Sequence, residues 1–176
     1  MPIIELKGKQ PKIHENAYVS ELATLIGDVE VGANSSIWPG CIIRGDFARV
    51  EIGEFSHIQD SVLIHAHMAN TPTNIGNYVT IESCCAIYGC LLSDYTIVGT
   101  GSLIFDGATI GETVLLAPNT LVTSGQVVGA RVFVQGAPAA TLRKLSMEEI
   151  EQNRDRAERY SEVFEKLGRW LPREKR

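Results

Sequence analysis

The sequence predicts an all-β chain built as a parallel β-helix, a triangular prism of stacked coils, with one α-helix at its C-terminal end. Three observations lead there. From Leu92 to Gln135 a branched aliphatic opens every block of six residues: Leu92, Val98, Ile104, Ile110, Leu116, Val122, Val128 and Val134. A period of six fits neither the 3.6 of a helix nor the plain alternation of a strand, and it marks a coil that repeats by stacking. The residue four places after each aliphatic is mostly small, as at Thr96, Ser102, Ala108 and Thr120, which suits a crowded bend. Beyond Gly136-Ala137-Pro138 the period of six stops, and spacings of three, four and seven replace it.

Each block turns one aliphatic inward, and three blocks close a coil of about 18 residues. Residues 1–12 read as a lead-in strand and turn, punctuated by Pro2 and Pro11. The frame opens at Ile13, Val19 and Leu25. The pairs Ile26-Gly27 and Val31-Gly32 stand five apart and predict a one-residue slip, after which Ile37 and Ile43 return to sixes. Trp38-Pro39-Gly40 marks a corner. Residues 44–51 (RGDFARVE) break the frame, which resumes at Ile52, Ile58 and Ile64. Residues 66–74 (AHMANTPTN) break it again, and their polarity and Pro72 predict a loop thrown out of the prism. Ile75, Ile81 and Ile87 restart the frame, and a further slip leads into Leu92. The two breaks are where chemistry is expected, because inward positions are committed to the core while loops on a rigid scaffold can carry function.

Ser146-Met147-Glu148-Glu149 is a capping box, in which the Ser side chain and Glu149 satisfy free backbone N–H groups reciprocally. It predicts a helix over Met147–Leu167, with Met147, Ile150, Ala157, Tyr160, Phe164 and Leu167 on its apolar face. The organisation expected is a β-helix domain over 1–145, an amphipathic helix over 146–170 packed on the prism, and a tail over 171–176.

At 176 residues the chain suggests one domain. A net charge of −5 without a basic stripe, and few aromatics, argue against a nucleic-acid partner. No long apolar run predicts a membrane span or a secretory leader. Cys41, Cys84, Cys85 and Cys90 lack the spacing of a secreted disulfide framework, so reduced thiols in a cytoplasmic protein are expected. Cys41 and Cys90 read as small core residues, and His14 and His57, having no motif partner, read as surface residues.

Taken together, several motifs resemble the γ-class carbonic anhydrase family and its relatives. They are Trp38-Pro39-Gly40, Arg44-Gly45-Asp46, Ile58-Gln59-Asp60, His65 five residues later, Gly89-Cys90, the run from Leu92, and Gly136-Ala137-Pro138. The resemblance covers nearly the whole chain. It implies a left-handed β-helix and a homotrimer with sites between subunits. It also implies zinc held by three histidines from two chains, with an open position for the water that attacks carbon dioxide.

The first family ligand corresponds to His65. The other two stand in a segment of the form V-T-I-G-H-x-x-x-x-H-G-C. Here that segment is Val79-Thr80-Ile81-Glu82-Ser83-Cys84-Cys85-Ala86-Ile87-Tyr88-Gly89-Cys90, so the ligand positions hold Ser83 and Tyr88. One neutral histidine does not hold a catalytic zinc, and neither Ser nor Tyr is a usual ligand. By resemblance Arg44 and Asp46 form an inter-subunit ion pair, Gln59 orients a water or substrate, and Asp60 holds the corner. For Arg44 and Asp46 a purely structural contact between chains competes with that role.

The expectation is a homotrimer without the three-His zinc site and without a metal cofactor. It keeps an interfacial pocket for a small anion or small molecule, formed by Arg44, Asp46, Gln59, Asp60, His65, His67, Ser83 and Tyr88. One alternative is a hexapeptide-type acyltransferase or thioesterase with His65 or His67 as general base. Another is a zinc site rebuilt from His65, His67 and Cys84 or Cys85.

Overall fold

The computed structural model describes residues 2–66 and 68–167, with the backbone alone for 157 and 160–167. Short strands, most of two or three residues, wind a left-handed parallel β-helix of about seven turns, followed by the single helix α1 (Met147–Leu167).

Three inward columns explain the period of six. The first face stacks Leu25, Ile43, Ile64, Ile87, Ile104 and Val122 in parallel register. The second stacks Val31, Ile52, Ile75, Leu92, Ile110 and Val128. The third stacks Val19, Ile37, Ile58, Ile81, Val98, Leu116 and Val134. All but Val19 are buried. Each such side chain contributes roughly 1.5–3 kcal/mol by leaving water.

The first columns correct one sequence expectation. Leu25, Val31, Ile37 and Ile43 stand six apart without a slip, and Ile26 is an outward residue of the first face. The adjacent Ile-Gly pair had drawn the frame one place too far.

The two frame breaks stack on one corner, between the first and second faces. Residues 44–51 are not a loop. They belong to the long strand Ile42–Ile52, which runs through the corner beside Thr24–Val31. Gly45 makes this possible, since a Cβ there would lie 2.1 Å from the Asp28 carbonyl oxygen. The second break is shorter than expected, because Thr73–Ile75 is already a strand of the second face. Its Thr71 rests on Gly89, where a Cβ would meet the Thr71 carbonyl at 2.8 Å.

The capping box forms as expected: Ser146 N–H donates to Glu149 Oε2 at 2.9 Å, and Glu149 N–H donates to Ser146 Oγ at 3.2 Å. The helix lies along the third face. Arg154 reaches Glu112 and stacks over Tyr95, and Arg156 pairs with Glu82. Ile150 and Asn153 are buried, but Met147, expected on the apolar face, is exposed. The remaining expected face residues, Ala157, Tyr160, Phe164 and Leu167, have side chains outside the described set, and the expected tail 171–176 lies outside the described residues. No helix among the described residues is long and apolar enough to cross a membrane.

The outer surfaces of the three faces differ in kind. The second presents Lys12, Glu30, Glu51 and Asn74 in register, and Arg49 pairs with both Glu30 and Glu51. The third is covered by α1. The first presents Ile42, Leu63, Ala86, Leu103 and Leu121 in one column, with Ile42 and Leu103 exposed.

Candidate functional site

Beside that apolar column on the first face runs a second one, and it holds three of the residues expected at the site. Parallel pairing places Ile26, Arg44, His65 and Tyr88 directly above one another, one per coil. Neighbours in such a ladder stand about 4.8 Å apart. The His65 ring meets Tyr88 edge-on at 4.9 Å between centroids, and Tyr88 stacks on Phe105 at 5.4 Å. Phe105 escaped the sequence reading, although it follows Tyr88 by 17 residues, close to one coil.

His65 sits where strand Leu63–His65 ends and the loop begins. Its Nδ1 lies 3.1 Å from the Ala66 carbonyl oxygen. A carbonyl only accepts, so Nδ1 carries the proton and Nε2 is the basic nitrogen. Above it, Arg44 Nη2 pairs with Asp46 Oδ2 at 3.3 Å within the chain. The Arg44 Nε is buried and has no hydrogen-bond partner. The guanidinium itself is partly exposed, and a carboxylate or similar anion suits such an edge best.

The other expected pocket residues lie elsewhere. Gln59, Asp60, Ser83 and Cys84 occupy the corner between the third and first faces, where the chain turns between His57–Ile58 and Leu63–His65 and between Thr80–Ile81 and Ala86–Tyr88. Ser83 Oγ donates to Gln59 Oε1 at 3.4 Å, and the Asp60 carbonyl accepts from Cys84 N–H at 3.0 Å. Five residues separate Ser83 from Tyr88, so the two groups stand at opposite edges of the first face, on the order of 10–15 Å apart. His67 lies outside the described residues.

The cysteines divide by burial. Cys84 is exposed, whereas Cys41, Cys85 and Cys90 are buried. Burial pushes the Cys85 thiol up to about 11, and its Sγ lies 3.3 Å from the Gly99 carbonyl oxygen. No three His, Cys, Asp or Glu side chains among the described residues come together as a metal cluster.

His57, expected at the surface, is fully buried. By strand alternation it stands on the outer side of the third face, between Ser36 and Thr80, but α1 covers that face. Its Nδ1 lies 2.7 Å from Ser36 Oγ, which also accepts from Trp38 Nε1–H at 2.9 Å. Burial pushes its pKa down to about 4. It therefore belongs to the packing beneath the helix and not to the candidate site. His14 is exposed, as expected.

A profile described as bacterial transferase hexapeptide (six repeats) matches residues 10–45. Gamma carbonic anhydrase 1, mitochondrial, of Arabidopsis thaliana is 37% identical over 166 residues, covering 88% of this chain and 58% of that protein. The chain thus spans a little over half the length of that plant relative. Carnitine operon protein CaiE of Escherichia coli K12 is 33% identical over 163 residues, covering 93% of this chain and 83% of that one. Among solved structures, a candidate acetyltransferase from Bacillus cereus superposes with a TM-score of 0.93 at 30% identity, covering 96% and 98% of the two chains. A hexapeptide transferase family protein from Anaplasma phagocytophilum gives 0.88 at 35% identity, covering 92% and 95%. The two solved structures share the prism, and the motifs from Trp38 to Pro138 run along it in the order that the resemblance implies. The chain belongs to the γ-carbonic-anhydrase-like family of hexapeptide-repeat proteins.

Proposed function

We propose that this protein is a homotrimeric γ-carbonic-anhydrase-like protein that works without the three-His zinc site and uses its interfacial pocket to bind a small anion or small molecule. One observation carries the reading. The first face holds Arg44, His65 and Tyr88 along one edge and Gln59 and Ser83 along the other. A contact that brings one edge of a chain against the opposite edge of a second chain is heterologous, and with a rotation of a third of a turn per copy it closes into a ring of three. The apolar column between the edges, with Ile42 and Leu103 exposed, supports burial of this face between copies.

The donor set does not fit a catalytic zinc. Among the described residues it offers one imidazole, a phenol and a hydroxyl, where three nitrogen ligands are needed. Of the cysteines proposed as substitutes, Cys85 is turned inward with its pKa raised by burial, which leaves the exposed Cys84 beside Ser83, and among the described residues no three such groups gather within one chain. No step is therefore routed through a metal. What remains is a partly exposed guanidinium in register with an imidazole, flanked by two aromatic rings. That set attracts an anion, orients it and supplies a base.

The test begins with elemental analysis of untagged protein purified without chelators, followed by a carbon dioxide hydration assay and an acetate titration read on the His65 ring resonances. Substoichiometric metal, no hydration above background, and an acetate response lost in Arg44→Gln are expected. About one zinc per chain with hydration abolished by His65→Ala would overturn the reading.

A second reading, acyl transfer or thioester cleavage with His65 as base, draws support from the two transferase-titled structures. Turnover of acyl thioesters that disappears in His65→Ala would favour it.

A further inference from the structure

A half-open cavity of about 260 Å³ lies on the third face beside Arg156 of α1, outside the site described above. Its floor is apolar, made by Ile97, Leu115 and Phe133, which are successive outward residues of that face. Ala117 and Pro118 form one wall. The mouth is charged: Arg156 of α1 and Glu82 line it and pair with each other. Glu82 is further held by Thr100, whose N–H and hydroxyl donate to Oε2 at 3.0 and 2.9 Å.

Two features tie this cavity to the pocket. Glu82 is the chain neighbour of Ser83, so the mouth opens beside the half-site of Ser83 and Gln59. In addition, the family pattern has Gly-His where this chain has Glu82-Ser83. The dipeptide that lacks the zinc ligand also supplies the carboxylate at the mouth. The volume sits just below the range of drug-sized ligand sites, which suits a short flexible chain.

We infer that the cavity is a subsite for a short aliphatic acyl chain, whose polar end emerges between Glu82 and Arg156 toward Ser83. The ligand class of the protein is then a small carboxylate or acyl compound with a tail of several carbons, and not an inorganic anion. The link to a head-group site rests on the interfacial-pocket reading, while the cavity itself lies within one chain.

Full-length protein labelled with ¹³C at Ile and Leu methyls, titrated separately with hexanoate and acetate, tests this. Hexanoate should shift the Ile97 and Leu115 methyls saturably, and acetate should leave them in place. The four additional methylenes should tighten binding by about tenfold to a hundredfold. Leu115→Phe fills the cavity and should abolish the methyl shifts at an unchanged Tm. If that variant melts early, Ala117→Val replaces it. Silent Ile97 and Leu115 methyls, or shifts that persist in the filled variant, overturn the inference. The His65 resonances separate the two readings. His65 responding to both ligands while the methyls stay silent overturns the acyl subsite and leaves the anion pocket standing. Methyls responding while His65 stays silent uphold the subsite and count against the anion pocket.

Discussion

In the proposed reading Tyr88 and Ser83 set the chemistry of this chain, because each occupies a position where the family motif has a histidine. Tyr88 already stands in register with His65, and Ser83 at the opposite edge faces the proposed neighbour. Restoring both as Ser83→His with Tyr88→His should give about one zinc per chain by elemental analysis. If the double variant binds none, the surrounding groups no longer support a metal. His57 provides a test of a different kind. Burial holds its pKa down at about 4, against about 6.5 for a free imidazole, so the folded state disfavours its charged form. The stability it confers is complete above about pH 6.5 and is lost as the pH falls toward 4, a difference of about 3 kcal/mol. Denaturant midpoints at pH 7 and pH 4.5 should show that loss, and His57→Gln should flatten it. The sequence made the ligand substitutions legible because the motif matches at both ends without a gap. It did not reveal the burial of His57. A histidine at an outward strand position looks exposed until the covering element is known, and that element is a hundred residues away.

At the scale of elements, local signals and long-range ones fared differently. The helix limits were readable because a capping box is a four-residue code. Ser146→Ala removes the acceptor for Glu149 N–H and should cost about 1 kcal/mol, measured as a shift in denaturant midpoint without a change in slope. The side of the helix that packs was less legible. Met147 is exposed and Asn153 is buried with its Nδ2 unpartnered, an arrangement set by the charged clamps to Glu112 and Glu82. Residues 44–51 looked like a loop because the period of six breaks there. They are a strand because Gly45 allows two backbones to meet at a corner, a contact invisible to periodicity.

For the whole molecule, the prism was legible from its repeat, since each aliphatic column needs one residue per face per coil. The expected pocket residues came from the motifs, but their division between two edges of one face needed the register of the coils. The first face carries an apolar outward column with the expected site residues along its two edges, which supports contact between copies there. Leu103→Glu should therefore convert the expected trimer to monomer, read by light scattering after size exclusion, with the far-ultraviolet circular dichroism retained.

The way the prism ends has a further consequence. Strand Ala140–Lys144 pairs antiparallel with Val132–Gln135 and is exposed throughout. Leu121 N–H donates to the Gly136 carbonyl, and its own carbonyl accepts from Ala139 N–H. A stack of parallel coils is otherwise an open template, because its last edge repeats the one before it. The reversed strand, bearing Arg143 and Lys144, breaks that template and makes the protein finite. A chain shortened after Gln135 should polymerise end to end into thioflavin-positive filaments, visible by electron microscopy, while the intact chain stays discrete.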